Sequence, residues 1–325
     1  LARQASRDRT PMILILSTPR DEHAQVVMAE LMKLDAPAML LDLSDYPQRS
    51  SFSMKYERHG LALELGCSEG GLDLDDCGAV WWRRPQWPEI STAIVRDTHR
   101  NFAVNECTEA LHGLWQSLDA RWINEPARDL FAQRKSYQLK VAQTVGLEVP
   151  DTLITNCPDA VREFVMRQGM GNVIFKSFSA TEAEWRETRL LREEEMGVID
   201  NVRYTPVIFQ RYIEADVDLR ITVVGDEIFA AAIHSQQTSY KVDFRMDIAH
   251  ARIEAVSLPP DVARRLLDLM RYLGLVYGAI DMRRTPDGRY VFLEVNPAGQ
   301  WLFTELPAGL PISCAIARKL REFDA

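Results

Sequence analysis

Along this chain the spacing of apolar residues switches repeatedly between the period of a strand and that of a helix. Met12–Leu16 is an unbroken apolar run closed by turn residues, and it predicts a buried strand. Val26, Val27, Leu31 and Leu34 then recur at helical spacing, and residues 38–43 form a second apolar run. Strand, helix and strand in this order predict a parallel pair with a right-handed crossover. Residues 51–57 and 61–66 read as a hairpin, 77–84 as a strand closed by Pro85, and 98–118 as a long helix. The first domain is expected over residues 12–124.

Residues 125–205 are expected to form a central domain, mostly helical over 125–170. An amphipathic helix from Gln133 to Val145 is stopped by Gly146, and Pro158 and Asp159 open another. The stretches 151–156, 172–180 and 205–213 read as strands, and the charged stretch 182–195 as a helix. Residues 206–325 are hairpin-rich and form a third expected domain. There a Gly225-Asp226 turn joins two apolar runs, 240–247 alternates polar and apolar residues, and 275–297 reads as a final hairpin. No internal repeat or low-complexity tract interrupts this order.

Composition narrows the function. At 46% apolar residues the 325-residue chain can bury a substantial core. A net charge of −9 argues against a generally basic nucleic-acid binder, so an anion site has to be built locally. No apolar run suits a membrane span, and residues 1–11 lack a signal-peptide core. Those residues also lack an initiator Met, are expected to be a tag remnant or a processed end, and are set aside. Five scattered cysteines with no C-x-x-C pair favour reduced thiols and a cytoplasmic protein.

The chemistry gathers in the final hairpin. A two-residue Asp287-Gly288 turn would set Asp281 opposite Glu294, and Asn296 would project from the same face. Three oxygen donors without His or Cys suit Mg²⁺. The competing reading is a solvated hairpin tip whose acids meet Arg283, Arg284 or Arg289. Lys176 interrupts an apolar strand, and Lys135 stands at a helix start, where anions are favoured. Asp218 and Arg220 share one strand face, and Lys241, Asp243 and Arg245 are expected to share another. No Walker motif or G-x-G-x-x-G is present, so separate lysines would have to hold any phosphates. The six histidines are isolated, which leaves no nucleophile–histidine pair.

In that order these residues resemble the ATP-grasp fold over residues 12–320. The resemblance implies an α/β protein, α+β in its ATP-binding part, with an N-terminal parallel-sheet domain, a central lid domain and a C-terminal antiparallel-sheet domain. It makes Lys135 and Lys176 phosphate ligands, and Gln210, Arg211, Tyr212 and Ile213 the adenine-binding linker. Asp218 takes the ribose position, Arg245 meets the transferring phosphate, and Asp281, Glu294 and Asn296 bind magnesium. Within that superfamily, "WWRRP" (81–85), "KVDFR" (241–245), "LEVNPAGQWLFTE" (293–305) and "GLPIS" (309–313) are similar to the graspetide synthetases, the microviridin-type peptide macrocyclases. One departure is the glycine-free stretch 177–191, where many ATP-grasp enzymes carry a Gly-rich phosphate loop.

The resemblance implies ATP-driven activation of Asp or Glu side chains in a ribosomal precursor peptide with a leader and an acidic core. A Ser or Thr hydroxyl or a Lys amine then takes the acyl group. Arg245 and Arg220 would stabilise charge on the transferred group, and Asp243 is either a general base or an ion-pair partner of Lys241 or Arg245. Peptide contacts are expected from Arg83 and Arg84, from Lys241, and from a helix face carrying Trp185, Arg186, Arg189 and Arg192. Neither nucleic acid nor membrane is expected as a partner, and a homodimer is compatible with the sequence. The rival readings are a ligase that adds amino acids to a protein tail, as ribosomal-protein glutamate ligases do, and a nucleotide- and peptide-binding module without turnover.

Overall fold

The computed structural model describes residues 12–325 except 59, 68–69 and 179–186. The chain forms two compact units. The first runs to Asp129 and takes in Leu275–Tyr277 and Pro311–Ala325. Its centre is the expected parallel sheet. Strands β1 (Met12–Leu16) and β2 (Ala38–Leu41) flank helix α1 (Glu22–Lys33), which Asp21 caps. The strands β3 (Ser51–Glu57), β4 (Gly60–Cys67) and β5 (Gly70–Asp73) form a separate antiparallel sheet. The chain then returns through β6 (Cys77–Trp82), α2 (Asp97–Ser117) and β7 (Arg121–Ile123) to give the parallel order β2-β1-β6-β7. Leu14, Leu16, Val80, Leu111, Leu114 and Trp115 share one core. Trp82, Trp115 and Trp122 meet edge to face with centroids 6.3–6.5 Å apart, the arrangement aromatic quadrupoles favour.

The end of the chain departs from expectation. Residues 206–325 do not stay together, because helix α8, identified below, belongs to the first unit. Its buried Ile312, Ile316 and Leu320 recur every four residues and pack on α1 and β6. Asp324 accepts a hydrogen bond from Gly78 N at 3.0 Å.

The second unit comprises Leu130–Gly274 and Gly278–Leu310. After the short helix α3 (Pro126–Ala132) come α4 (Lys135–Thr144), β8 (Thr152–Thr155), α5 (Pro158–Gln168), β9 (Val173–Lys176), β10 (Arg189–Leu190) and β11 (Val207–Arg211). The strands form an antiparallel sheet in the order β10-β9-β11-β8. A second sheet, ordered β14-β13-β12-β15-β16, is built from β12 (Val217–Val224), β13 (Glu227–Ile233), β14 (Ile253–Ala255), β15 (Tyr277–Arg284) and β16 (Tyr290–Asn296). Helices α6 (Pro260–Leu273), α7 (Leu302–Ala308) and α8 (Ile312–Asp324) complete the chain. Gly225, at φ 60°, supplies the left-handed residue of the tight β12–β13 turn.

Two stretches depart from their local patterns. The charged stretch expected as a helix over 182–195 is, where described, strand β10 followed by a 3-10 run, Glu193–Tyr204. Arg189 and Leu190 pair with Phe175 and Ile174, and Leu191 is buried, so sheet pairing overrides helix propensity. The alternating run 240–247 is not a strand. Asp243 accepts a hydrogen bond from Arg245 N and caps a 3-10 turn at Phe244–Met246. A short carboxylate that bonds its own backbone competes with a sheet ladder. Among the described residues no helix is long and apolar enough to cross a membrane.

Candidate active site

The acidic pair comes together by an unexpected route. The final hairpin does not turn in two residues. Thr285 N donates to Arg289 O at 2.9 Å across a three-residue loop, with Gly288 at φ 86°. Near the tip, Met282 therefore pairs with Phe292 and Arg284 with Tyr290, one residue away from the expected register. A bulge at Leu293 takes up the extra residue, so that Asp281 faces Glu294 and Ala279 faces Asn296. Directly opposed and alternate residues share a face, so Asp281, Glu294 and Asn296 project together.

Two cationic side chains hold these carboxylates. Lys135, the first residue of α4, places Nζ 2.6 Å from Glu294 Oε2. Arg220 on β12 donates to Asp281 Oδ1 at 2.8 Å and to Gln300 O at 2.7 Å. Burial pushes both carboxyls up, but the outcomes differ. The charges of Lys135 and Lys176 overcome it at Glu294 and hold that group at about 2. At Asp281 burial, reinforced by Glu294, outweighs Arg220, and the carboxyl stays above its usual range. Opposite shifts in neighbouring acids are a mark of functional sites.

Around this pair lies a cleft with about 130 Å³ of enclosed space. Lys135, Lys176, Arg211, Arg245 and Arg283 bring positive charge to its lining, and Ile174, Phe178, Met282 and Leu293 supply apolar walls. Lys176, at the end of β9, is half-buried, and its ammonium makes no hydrogen bond among the described residues. Burial lowers its pKa, Lys135 and Arg245 lower it further, and Glu294 opposes them. The linker residues Gln210, Arg211, Tyr212 and Ile213 line the same cleft. The Gln210 side chain is turned inward, however, and donates to Thr152 Oγ1 at 2.8 Å.

Asp243 and Arg245 form a two-pronged ion pair. Arg245 donates from Nε at 2.7 Å and from an NH₂ group at 2.6 Å. That pairing, with a backbone bond to Arg245 N, matches the ion-pair reading of Asp243 rather than the general-base one. Asp243 raises the Arg245 pKa, so the guanidinium in the cleft is permanently charged. Arg220 corrects an expectation: it is not among the residues lining the cleft, and it grips Asp281 from behind. Asp218 does line the cleft, but both its oxygens are engaged, one by Arg283 Nε at 2.8 Å and the other by Ser235 Oγ.

Arg283 was missed as a functional residue, although it lies two positions from Asp281 on the same strand. Only 4% exposed, it bonds Asp218, Ile213 O at 2.7 Å, Lys241 O at 3.0 Å and Val242 O at 2.9 Å. It therefore ties the linker to the loop that carries Asp243 and Arg245. The Lys241 side chain is exposed and outside the cleft lining, and only its carbonyl takes part.

The expected peptide contacts fare less well. Arg83 is 1% exposed in the first unit, and its Nε donates to Asp21 Oδ2 at 3.0 Å. Ser17 Oγ donates to the same oxygen at 2.9 Å. Burial raises the Asp21 carboxyl, but hydrogen bonding to His23 and Ser17 and the Arg83 charge hold it far below its usual range. Arg83 is thus a buried structural cation, and Arg84 alone of the pair is exposed. Arg189 lies over the Phe175 ring at 4.5 Å and pairs with Glu195, while Arg192 precedes the 3-10 run, so the two share no helix face. Trp185 and Arg186 lie outside the described residues.

The donor set can be tested against a cation. Among the described residues no three His, Cys, Asp or Glu side chains cluster, so the third donor has to be an amide. Asp281 Oδ2 and Glu294 Oε1 carry no hydrogen bond there, and Asn296 Oδ1 accepts one, from Ala298 N at 2.9 Å. Hard oxygens with unused lone pairs fit Mg²⁺ and do not favour a soft metal.

Comparison with known proteins gives the family. The MvdD pre-ATP grasp domain matches residues 12–129, and the RimK-like ATP-grasp domain matches residues 132–320. The chain is similar to the macrocyclase MdnC of Microcystis aeruginosa, a structure bound with precursor peptide MdnA: 30% identity over 96% of this chain and 99% of that one, with TM-score 0.85. The chain belongs to the graspetide synthetases, within the ATP-grasp ligases. This ATP-grasp ligase is also similar to a RiPP-associated ligase of Chryseobacterium gregarium in complex with ADP and a leader and core peptide. That match has 27% identity over 96% of this chain and 97% of the other, and TM-score 0.89. A ribosomal protein bS6–L-glutamate ligase of Shigella boydii is 24% identical over 62% of this chain and 67% of its own length. The ligase is ATP-dependent, as its family is.

Proposed function

We propose that this ligase activates Asp or Glu side chains of a ribosomal precursor peptide and joins them to Ser or Thr hydroxyls or Lys amines of the same peptide. The observation that carries the reading is the gathering of Lys135, Lys176 and Arg245 around Asp281 and Glu294 in one cleft. Phosphoryl transfer needs positive charge and in-line positioning rather than a protein nucleophile. A peptide carboxylate oxygen attacks the γ-phosphorus of ATP and ADP leaves, giving an acyl phosphate. The hydroxyl or amine attacks the acyl carbon, loses its proton, and phosphate leaves.

In this scheme Lys135 and Lys176 hold the phosphates, Arg245 faces the transferring group, and Arg283 keeps the linker and the Arg245 loop together. Asp281, Glu294 and Asn296 would hold Mg²⁺, which when bound neutralises phosphate charge. The apolar walls at Ile174 and Met282 suit a purine ring. Residues 125–205 serve as the lid-bearing part and 206–310 as the metal-bearing part. Arg84 is the retained candidate from the arginine pair for contact with an acidic core. The resemblance to leader-bound and precursor-bound macrocyclases supports a peptide substrate.

The test is incubation with ATP, Mg²⁺ and a precursor-type peptide rich in Asp, Glu, Ser and Thr. Loss of one water per bond, matched by one ADP, is expected. A gain of amino-acid mass on a protein tail would replace this reading with that of the glutamate ligases. Absence of ADP formation above background would replace it with a binding module.

A further inference from the structure

The compensating bulge at Leu293 raises a physical question. A strand that can pair in two registers one residue apart needs something to choose between them, because a one-residue slip changes which face each side chain occupies. Continued to the bulge, the register of the hairpin tip would set Leu293, not Glu294, opposite Asp281. The strand β16 is the last in its sheet, so among the described residues no further strand fixes its outer edge.

That edge is held at two points bracketing the bulge. Phe292 N donates to Glu148 O at 2.8 Å. On the other side the Gln138 side chain accepts from Val295 N at 3.0 Å and donates to Val295 O at 2.7 Å. Its amide also donates to Ala132 O at 2.6 Å. Gln138 is 3% exposed, and this one amide gives Val295 the two bonds a neighbouring strand would supply. Gln138 lies three residues after Lys135 on α4, so the two share a helix face. One helix face thus grips Val295 by its backbone and Glu294 by its carboxylate.

We propose that Gln138 is a positioning residue for the metal and phosphate site. It pins β16 in the bulged register, so that Glu294 rather than Leu293 meets Asp281 and Lys135. The inference rests on the assignment of Glu294 to the metal made above. A leucine of similar size would fill the space but leave Val295 N and O without partners, so some loss of stability accompanies any role. The readout has to separate positioning from stability.

The experiment uses the full chain and Mn²⁺ as the probe. Mn²⁺ affinity in the presence of ADP is read by electron paramagnetic resonance, below the melting temperature of every variant. Gln138→Leu is expected to weaken Mn²⁺ on the order of tenfold, as loss of a supporting partner of a metal ligand commonly does. Gln138→Glu keeps an acceptor for Val295 N and loses both donors, so an intermediate loss is expected, and it serves if the leucine variant does not fold. Phe164→Leu, on the buried face of α5, is the control: it lowers the melting temperature and leaves Mn²⁺ affinity unchanged. Gln138 variants that lose stability but bind Mn²⁺ like the unaltered protein overturn the proposal. If Glu294→Gln also leaves Mn²⁺ affinity unchanged, the metal assignment itself has failed, and the proposal falls with it.

Discussion

Lys135 occupies a double position. Its ammonium lies 2.6 Å from a carboxylate that is assigned to the metal, yet its own assignment is to a phosphate. Without nucleotide, a cation taking the open Glu294 Oε1 has to share that carboxylate with the Lys135 ammonium on Oε2. With nucleotide, the phosphates draw Lys135 away and the carboxylate is released. Replacing Lys135 by Met should therefore move two affinities in opposite directions. A charge-assisted hydrogen bond of this kind contributes about 1.5–3 kcal/mol. Removing it should tighten Mn²⁺ binding to the nucleotide-free protein by roughly 10–100-fold, since about 1.4 kcal/mol is a factor of ten. The same change removes a phosphate partner, so ATP binds more weakly by a similar factor. Electron paramagnetic resonance titration of Mn²⁺ without nucleotide and calorimetry with ATP read the two arms. Weaker Mn²⁺ binding in Lys135→Met, or unchanged ATP affinity, would refute the reasoning.

Three further outcomes follow from the same charges. Lys176 is a half-buried cation beside two others, and its lowered pKa means that it costs stability in full below that value, a cost that fades as pH rises from there towards the ordinary 10.5. Lys176→Met should raise the melting temperature of the nucleotide-free protein while weakening ATP binding more than peptide binding; a lower melting temperature contradicts this. Glu294 is held at about 2 against an ordinary 4.5, so the stability it adds is complete above pH 4.5 and is lost as pH falls through about 2. Thermal melts should show an advantage over Glu294→Gln that fades across that window, and an advantage growing in acid would contradict it. In the first unit, Asp21→Asn leaves the buried Arg83 without its counter-charge, and an equilibrium unfolding loss of about 3–5 kcal/mol is expected; a loss within error would show that Arg83 finds another partner.

How much of this was legible in the sequence depends on the range of the interaction. The parallel sheet and its crossover were readable from apolar runs alone. The facing of Asp281 and Glu294 on the final hairpin was readable for a partly wrong reason: the turn is longer by one residue, and the bulge at Leu293 restores the pairing. The bulge has no clear local sequence signal, since the clamp from Gln138 is tertiary, and the Thr285–Arg289 closure, although local, uses an Asp-Gly pair that suits a two-residue turn equally well. Lys176 stands out in the sequence because a cation interrupts an apolar strand, and Lys135 because it opens a helix; that both line one cleft is a tertiary fact. Asp243 and Arg245 were placed on a strand because alternation is ambiguous wherever a carboxylate can cap its own turn. Arg83 was read as a peptide contact because its partner, Asp21, lies 62 residues away. Arg283 enters the sequence reading only as a counter-ion in the competing hairpin-tip reading, and only the tertiary contacts show it buried.

The most direct test of the central claim follows the oxygen atoms. A precursor-type peptide with heavy-oxygen-labelled side-chain carboxylates is incubated with the ligase, ATP and Mg²⁺, and the released phosphate is analysed by mass spectrometry. Activation as an acyl phosphate predicts that one labelled oxygen appears in phosphate for each bond formed. Bond formation that leaves the phosphate unlabelled would contradict the account.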